Sequence, residues 1–145
     1  MNILAKAIQF AADKHSNQTD KGGNAYILHP LRMMMRLRTT DEELMAIAVL
    51  HDTVEDCGVS FDDLREFGMT ERVIAGVKAL TKQAGETYEQ FIDRLEGNRD
   101  ALMVKREDLR DNSDLTRLKG VTEKDVTRMQ KYMKAFKRVE FLLNS

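Results

Sequence analysis

The sequence predicts an all-α fold, a single-domain bundle of about seven or eight helices. Three observations predict it. The chain holds one proline in 145 residues and is rich in Leu, Ala, Met, Glu, Lys and Arg, which favour helix. Apolar residues recur at helical spacing in one segment after another, and no stretch alternates as a half-buried strand would. The segments are joined by short loops carrying Gly, Asn, Ser or Thr, as helix-to-helix connections are. With 42% hydrophobic residues, the chain can bury a core and form one domain over residues 1–145.

The elements follow in order. Asn2 to His15 places Ile3, Leu4, Ala7, Ile8 and Ala11 on one helical face, with Lys6, Asp13 and Lys14 outside. His15 reads as its C-terminal cap. A loop from Ser16 to Asn24 contains Lys21-Gly22-Gly23, and Tyr26-Ile27-Leu28 leads to His29-Pro30. Proline is pre-organised for the first helical position, so His29 is expected to cap a helix reaching Arg38. Met33, Met34 and Leu37 face inward there. Thr40 is expected to cap a third helix, with Asp41, Glu42 and Glu43 in its first turn, where negative charge is favoured. That helix runs to about Asp56 and stops before Gly58.

Ser60 and Gly68 bracket a short helix, Phe61 to Phe67, and Thr70 opens another through Val73, Ile74, Val77 and Leu80. Glu86 to Leu95 is amphipathic, Gly97-Asn98 breaks it, and Asp100 to Asp111 forms the next helix. Thr122 opens a long last helix to Leu143, with Val126, Met129, Met133, Phe136, Val139 and Leu143 inward.

Composition excludes several classes. A net charge of −1 gives no global field for nucleic acid or an anionic membrane. One cysteine, Cys57, rules out a disulfide framework within the chain and fits a reducing cytoplasm. No apolar run approaches the ~20 residues that span a bilayer, and Met1 to Phe10 lacks the apolar core of a signal peptide. A soluble cytoplasmic protein is expected. Oligomeric state is not indicated.

The chemistry concentrates in His51-Asp52-Thr53-Val54-Glu55-Asp56, directly after the charge-free run Leu44 to Leu50. Four titratable groups following a core segment are costly unless an ion and catalytic roles compensate them. The helix carries His51 and Glu55 on one face, and Asp52 and Asp56 on the adjoining one. An acidic last turn opposes the helix dipole, so a merely solvated end explains Glu55 and Asp56 poorly. His29 and Asp108 would complete a mixed nitrogen and oxygen set, suited to Mn²⁺, Fe²⁺ or Zn²⁺ rather than Ca²⁺. Spacing alone leaves a plainer reading open, with His29 a helix cap and Asp108 on a solvated face.

Four motifs add a resemblance: Tyr26-Ile27-Leu28-His29-Pro30, Leu50 to Asp56, Val77 to Lys82, and Lys105-x-x-Asp108-x-x-x-Asn112. Together they resemble the hydrolase domain of the RelA/SpoT proteins, within the HD superfamily of metal-dependent phosphohydrolases. Arg128 and Tyr132 fall where that family has an Arg and a Tyr four apart. The resemblance implies one ion, usually Mn²⁺, held by His29, His51, Asp52 and Asp108. It implies hydrolysis of the 3′-pyrophosphate of ppGpp and pppGpp to GDP or GTP and pyrophosphate. Glu55 is the expected main base, with Asp56 assisting. Lys21, Asn112, Arg128 and Tyr132 are the expected nucleotide contacts, and Lys105 either touches substrate or pairs internally. Longer members carry a synthetase domain after this one, so a chain ending at Ser145 is expected to be a small stand-alone hydrolase.

The chain departs from the family at Asp20 and Leu109, where the family has Arg, at Ala25, where it has Pro, and at Asp111, where it has His. A different nucleotide, such as ppApp, NADPH or a nucleoside phosphate, is the alternative substrate. A nucleotide-binding module without catalysis is a third reading.

Overall fold

The computed structural model describes residues 1–145. Nine α-helices follow one another: α1 Ile3–Lys14, α2 Leu28–Arg36, α3 Glu42–Leu50, α4 Thr53–Cys57, α5 Phe61–Glu66, α6 Glu71–Ala79, α7 Tyr88–Arg94, α8 Arg99–Asn112 and α9 Glu123–Leu143. Short 3-10 turns precede and follow α8 at Leu95–Gly97 and Leu115–Arg117. There is no sheet; an isolated bridge between Thr19 and Ala25 closes the loop after α1.

Helix α3 is the axis of the bundle. Leu44 and every residue from Ala46 to Leu50 are buried, as a helix that is apolar all round must be. It packs against α1, α2, α6 and α8. Gly76 lets the α6 backbone approach closely, since a Cβ there would lie 2.5 Å from Ile47 Cδ1. The consequence for function is direct: the residue after α3 is His51, delivered into the interior.

Capping is mostly where the sequence put it. Ser60, Thr87 and Thr122 form reciprocal capping boxes with Asp63, Gln90 and Asp125. Two starts differ. Asp41 rather than Thr40 caps α3, its Oδ1 accepting from Leu44 N at 3.2 Å. In α2, His29 is the second helical residue and Ile27 takes the cap position without a side-chain bond. Backbone bonds from Leu28 N to Ala25 O and from His29 N to Tyr26 O already wind the chain before Pro30. Pro30 still falls in the first turn, where no N–H is needed.

Of the methionines in α2, Met33 and Met34 join the core and Met35 is exposed. The inward stripe of α9 is rotated from the expected one: Ala135, Val139, Leu142 and Leu143 are buried, while Val126 is 49% and Met133 53% exposed. Arg128 and Tyr132 continue that stripe towards the helix start and line a cavity. The apolar periodicity of the first half of α9 was therefore misleading, because polar residues occupy its inward side.

Candidate metal centre and active site

Helix α3 ends at the residues that matter, not past them. His51 Nδ1 donates to Ala48 O at 2.9 Å, and Thr53 Oγ1 donates to Leu50 O at 2.9 Å. These side chains take the carbonyls that would have accepted from Asp52 N and Val54 N. The expected single helix from Thr40 to Asp56 is thus split, and Asp52 becomes the cap residue of α4. The break turns His51 Nε2 towards α2 and α8.

There it meets His29 from α2 and Asp108 from α8. His29 Nε2 is 3.0 Å from Asp108 Oδ1, and His51 Nε2 is 3.6 Å from the same oxygen. One donor atom from each of the three lies within 4.8 Å of the others, and all three residues are buried. Donors held at ~2.0–2.2 Å around one first-row ion are spaced about 3–3.5 Å apart, so the separation suits a shared ion. Asp52 stands at the edge of this group. Its Oδ2 is 3.6 Å from His51 Nε2 and accepts from the Tyr26 hydroxyl, while its Oδ1 is 3.2 Å from His15 Nε2. The structure therefore clusters three of the four expected ligands and sets the fourth beside them.

The electrostatics fit a cation. Burial works against charge on Asp108, yet Lys105, His29 and His51 outweigh it and hold the carboxyl well below the usual range. Burial likewise opposes a charged His51 ring, but Asp52 and Asp108 push it up to about 9. His15 and His29 are also raised against the effect of burial, by Asp52 and by Asp108 with Asp111 respectively. Carboxylates buried this deeply draw protons onto the imidazoles. A divalent ion would supply the same positive charge, and the mixed imidazole and carboxylate donor set suits a borderline metal.

A cavity of about 170 Å³ opens over the cluster and is lined also by Glu55 and Asp56. Glu55 Oε1 accepts from Lys82 N at 3.1 Å, which ties α4 to the loop after α6. Burial pushes the Asp56 carboxyl up, and the neighbouring Asp52 and Glu55 charges add to that. Lys105 proves to be an internal partner: its Nζ is 2.8 Å from Asp108 Oδ2 and lies over the Phe91 and Tyr88 rings. Asn112 is the last residue of α8, and its Nδ2 donates to Asp108 Oδ1 at 2.9 Å, so it steadies the carboxylate.

A second cavity, about 260 Å³, shares Tyr26 and Asn112 with the first and is lined by Lys21, Arg117, Arg128 and Tyr132. Asp20 builds the Lys21 loop, its Oδ1 accepting from Gly22 N and Asn24 N at 2.9 Å each while Oδ2 pairs with Arg117. Gly22 can carry no side chain, because a Cβ would sit 2.3 Å from Arg117 O. Arg128 is held by Asp125 Oδ1 at 2.5 Å. Arg106 and Arg110 are partly exposed and pair with the buried Glu107.

Three residues around the site escape the sequence reading of roles. His15 caps α1 as expected, but it is buried and backs Asp52, with Nδ1 2.7 Å from Gln18 Oε1. Tyr26 reaches Asp52 from the motif before His29. Asp111, noted only as a departure, is fully buried with Oδ2 2.6 Å from His29 Nδ1.

A family model described as HD domain matches residues 7–110. The chain belongs to the HD-domain family. Among relatives of this HD domain is the guanosine-3′,5′-bis(diphosphate) 3′-pyrophosphohydrolase of Aquifex aeolicus (strain VF5), 34% identical over 74% of this chain and 15% of that protein. Another is the guanosine-3′,5′-bis(diphosphate) 3′-pyrophosphohydrolase MESH1 of Danio rerio, 40% identical over 58% of this chain and 53% of that protein. This HD domain thus spans about half or less of the length of these two relatives. A solved structure described as "A metazoan ortholog of SpoT hydrolyzes ppGpp and plays a role in starvation responses" matches the fold with a TM-score of 0.75. It is 24% identical, and the match covers 97% of this chain and 91% of that one. The expected likeness to the RelA/SpoT-type hydrolase domain is borne out, as is the all-α HD fold.

Proposed function

We propose that this HD domain hydrolyses the 3′-pyrophosphate of ppGpp and pppGpp, with Mn²⁺ as the preferred ion and residues 1–145 working as one unit. The observation that carries the reading is the joining of two cavities. The His29, His51 and Asp108 cluster shares one cavity with Glu55 and Asp56, and Tyr26 and Asn112 join it to a second cavity lined by Lys21, Arg117 and Arg128. A polyphosphate nucleotide needs such a pair: a hydrolytic end, and cations at a distance to hold the other phosphates. The names of the relatives from Aquifex aeolicus and Danio rerio support the same substrate. The single cysteine, Cys57, fits action in a reducing cytoplasm, and no helix is long and apolar enough to cross a membrane.

A divalent ion held by His29, His51 and Asp108, with Asp52 beside them, would neutralise phosphate charge and acidify a water. Glu55, oriented by the Lys82 amide, takes the proton of the attacking water. Asp56, whose carboxyl is pushed up, can carry a proton to the departing ribose 3′ oxygen. Lys21 and Arg128 hold phosphates, and Tyr132 offers its ring or hydroxyl to the nucleotide.

The test is a nucleotide panel: ppGpp, pppGpp, ppApp, NADPH and a nucleoside monophosphate, each with Mn²⁺, Mg²⁺ or Zn²⁺, products separated by ion exchange. GDP or GTP plus pyrophosphate, fastest with Mn²⁺, is expected. One observation favours a second reading. Asp20 and Asp114 line the cationic cavity and reduce its net charge, which suits a nucleotide with fewer phosphates. Turnover of NADPH or the monophosphate alone would establish that reading instead. Tight alarmone binding without any product would make the protein a binding module.

A further inference from the structure

We infer that Asp111 is a positioning residue of the metal centre, which fixes the His29 ring so that Nε2 faces the ion. A histidine ligates through a nitrogen that carries no proton, so the proton left on the ring must be held by the other nitrogen. His51 has a backbone solution: Nδ1 donates to Ala48 O, leaving Nε2 for the cluster. His29 has no such carbonyl bond. Its Nδ1 meets Asp111 Oδ2 at 2.6 Å, while its Nε2 faces Asp108.

Asp111 is built to stay an anion there. It is fully buried, and a bare carboxylate would not be tolerated. Arg32 forks onto it at 2.8 and 3.1 Å, Arg36 donates at 3.1 Å, and Arg117 approaches to 3.4 Å. The arginines neutralise the carboxylate without competing for the ring, since the contact to His29 is the shortest of the set. Arg117 also pairs with Asp20, so the same residue ties the holder of a metal ligand to the Lys21 loop.

The inference rests on the metal-centre reading but not on the identity of the nucleotide, and its test uses the metal alone. Mn²⁺ is titrated into the full chain and free ion is counted by electron paramagnetic resonance, for the unaltered protein, Asp108→Asn and Asp111→Asn. Asp108→Asn should abolish binding. Asp111→Asn, which keeps the shape but loses the charge, should weaken it by roughly 10–100-fold with an unchanged circular dichroism spectrum. Folded Asp111→Asn with undiminished affinity overturns the inference while leaving the metal centre standing. No binding by the unaltered protein removes both.

A second measurement needs no variant at 111. Nitrogen-15 spectra of the Zn²⁺-loaded protein, with His29 assigned by Its absence in His29→Gln, should show a proton on Nδ1 and the metal on Nε2. The reverse arrangement overturns the inference.

Discussion

Glu55 and Asp56 are neighbours in sequence with different surroundings, and the tasks proposed for them follow that difference. Glu55 is fixed by one backbone N–H from the loop after α6, whereas burial and the nearby Asp52 and Glu55 carboxylates push the Asp56 carboxyl up. Glu55→Gln keeps the size and an oxygen for the Lys82 amide but loses the base. Turnover should fall about 100-fold or more, the usual scale for general-base loss, with Mn²⁺ affinity kept. Turnover within a few-fold of the unaltered protein would remove Glu55 from the proposed mechanism. The pair was legible in sequence because its members are contiguous and follow His51-Asp52 within one turn. His15 and Asp111 were not. His29 and Asp111 are 82 positions apart, and no local pattern reports a contact at that range.

At the scale of elements, the site depends on where α3 stops and how tightly α6 packs against it. Gly76 is the close-packed point: an added Cβ would meet Ile47 at Cδ1, Cγ1 and Cγ2, at 2.5, 2.9 and 3.0 Å. Because both branches of a buried isoleucine are struck, no rotamer change clears the contact. Gly76→Ala should therefore destabilise by about 1–3 kcal/mol, the cost of overpacking, despite alanine's better helix propensity. Adding Ile47→Val removes Cδ1 and should recover part of the loss in a thermal melt. An equal melting temperature for Gly76→Ala would contradict this account of the α3–α6 contact. Helix existence was legible throughout, since periodicity and capping residues are local signals. The split at His51–Asp52 was not, because it is made by side chains that take carbonyls from their own helix. The orientation of α9 was misread because Arg128 and Tyr132 stand on its inward stripe.

Across the whole molecule, the buried histidines and carboxylates couple folding, protons and metal. Without metal, His51 holds its proton up to about 9 in the folded protein, whereas unfolded histidines titrate near ~6.5. Its contribution to stability is complete below that unfolded value and is lost as pH rises towards about 9. Asp52, Asp108 and Asp111 act in the opposite sense, being held below the usual range by their cationic partners against burial. Their contribution is complete above ~4 and is lost as pH falls through the folded values. Metal ligation needs neutral imidazole, so Mn²⁺ binding at neutral pH should release protons and tighten as pH rises towards about 9. Calorimetric titrations in two buffers of different ionisation enthalpy measure the release. Identical heats in both would show that no proton leaves.

The sequence by itself determined the helical class, most caps, the family and the short list of chemical residues, because each is written in neighbouring residues or in a motif of fixed spacing. Tertiary structure alone decided that His29, His51 and Asp108 share one small volume with Asp52 at its rim. It also decided that Lys105 and Asn112 serve Asp108, and that Asp111 and His15 stand behind that group. Those relations join α1, α2, α8 and the α3–α4 break, and they exist only once a buried α3 draws the other helices around it.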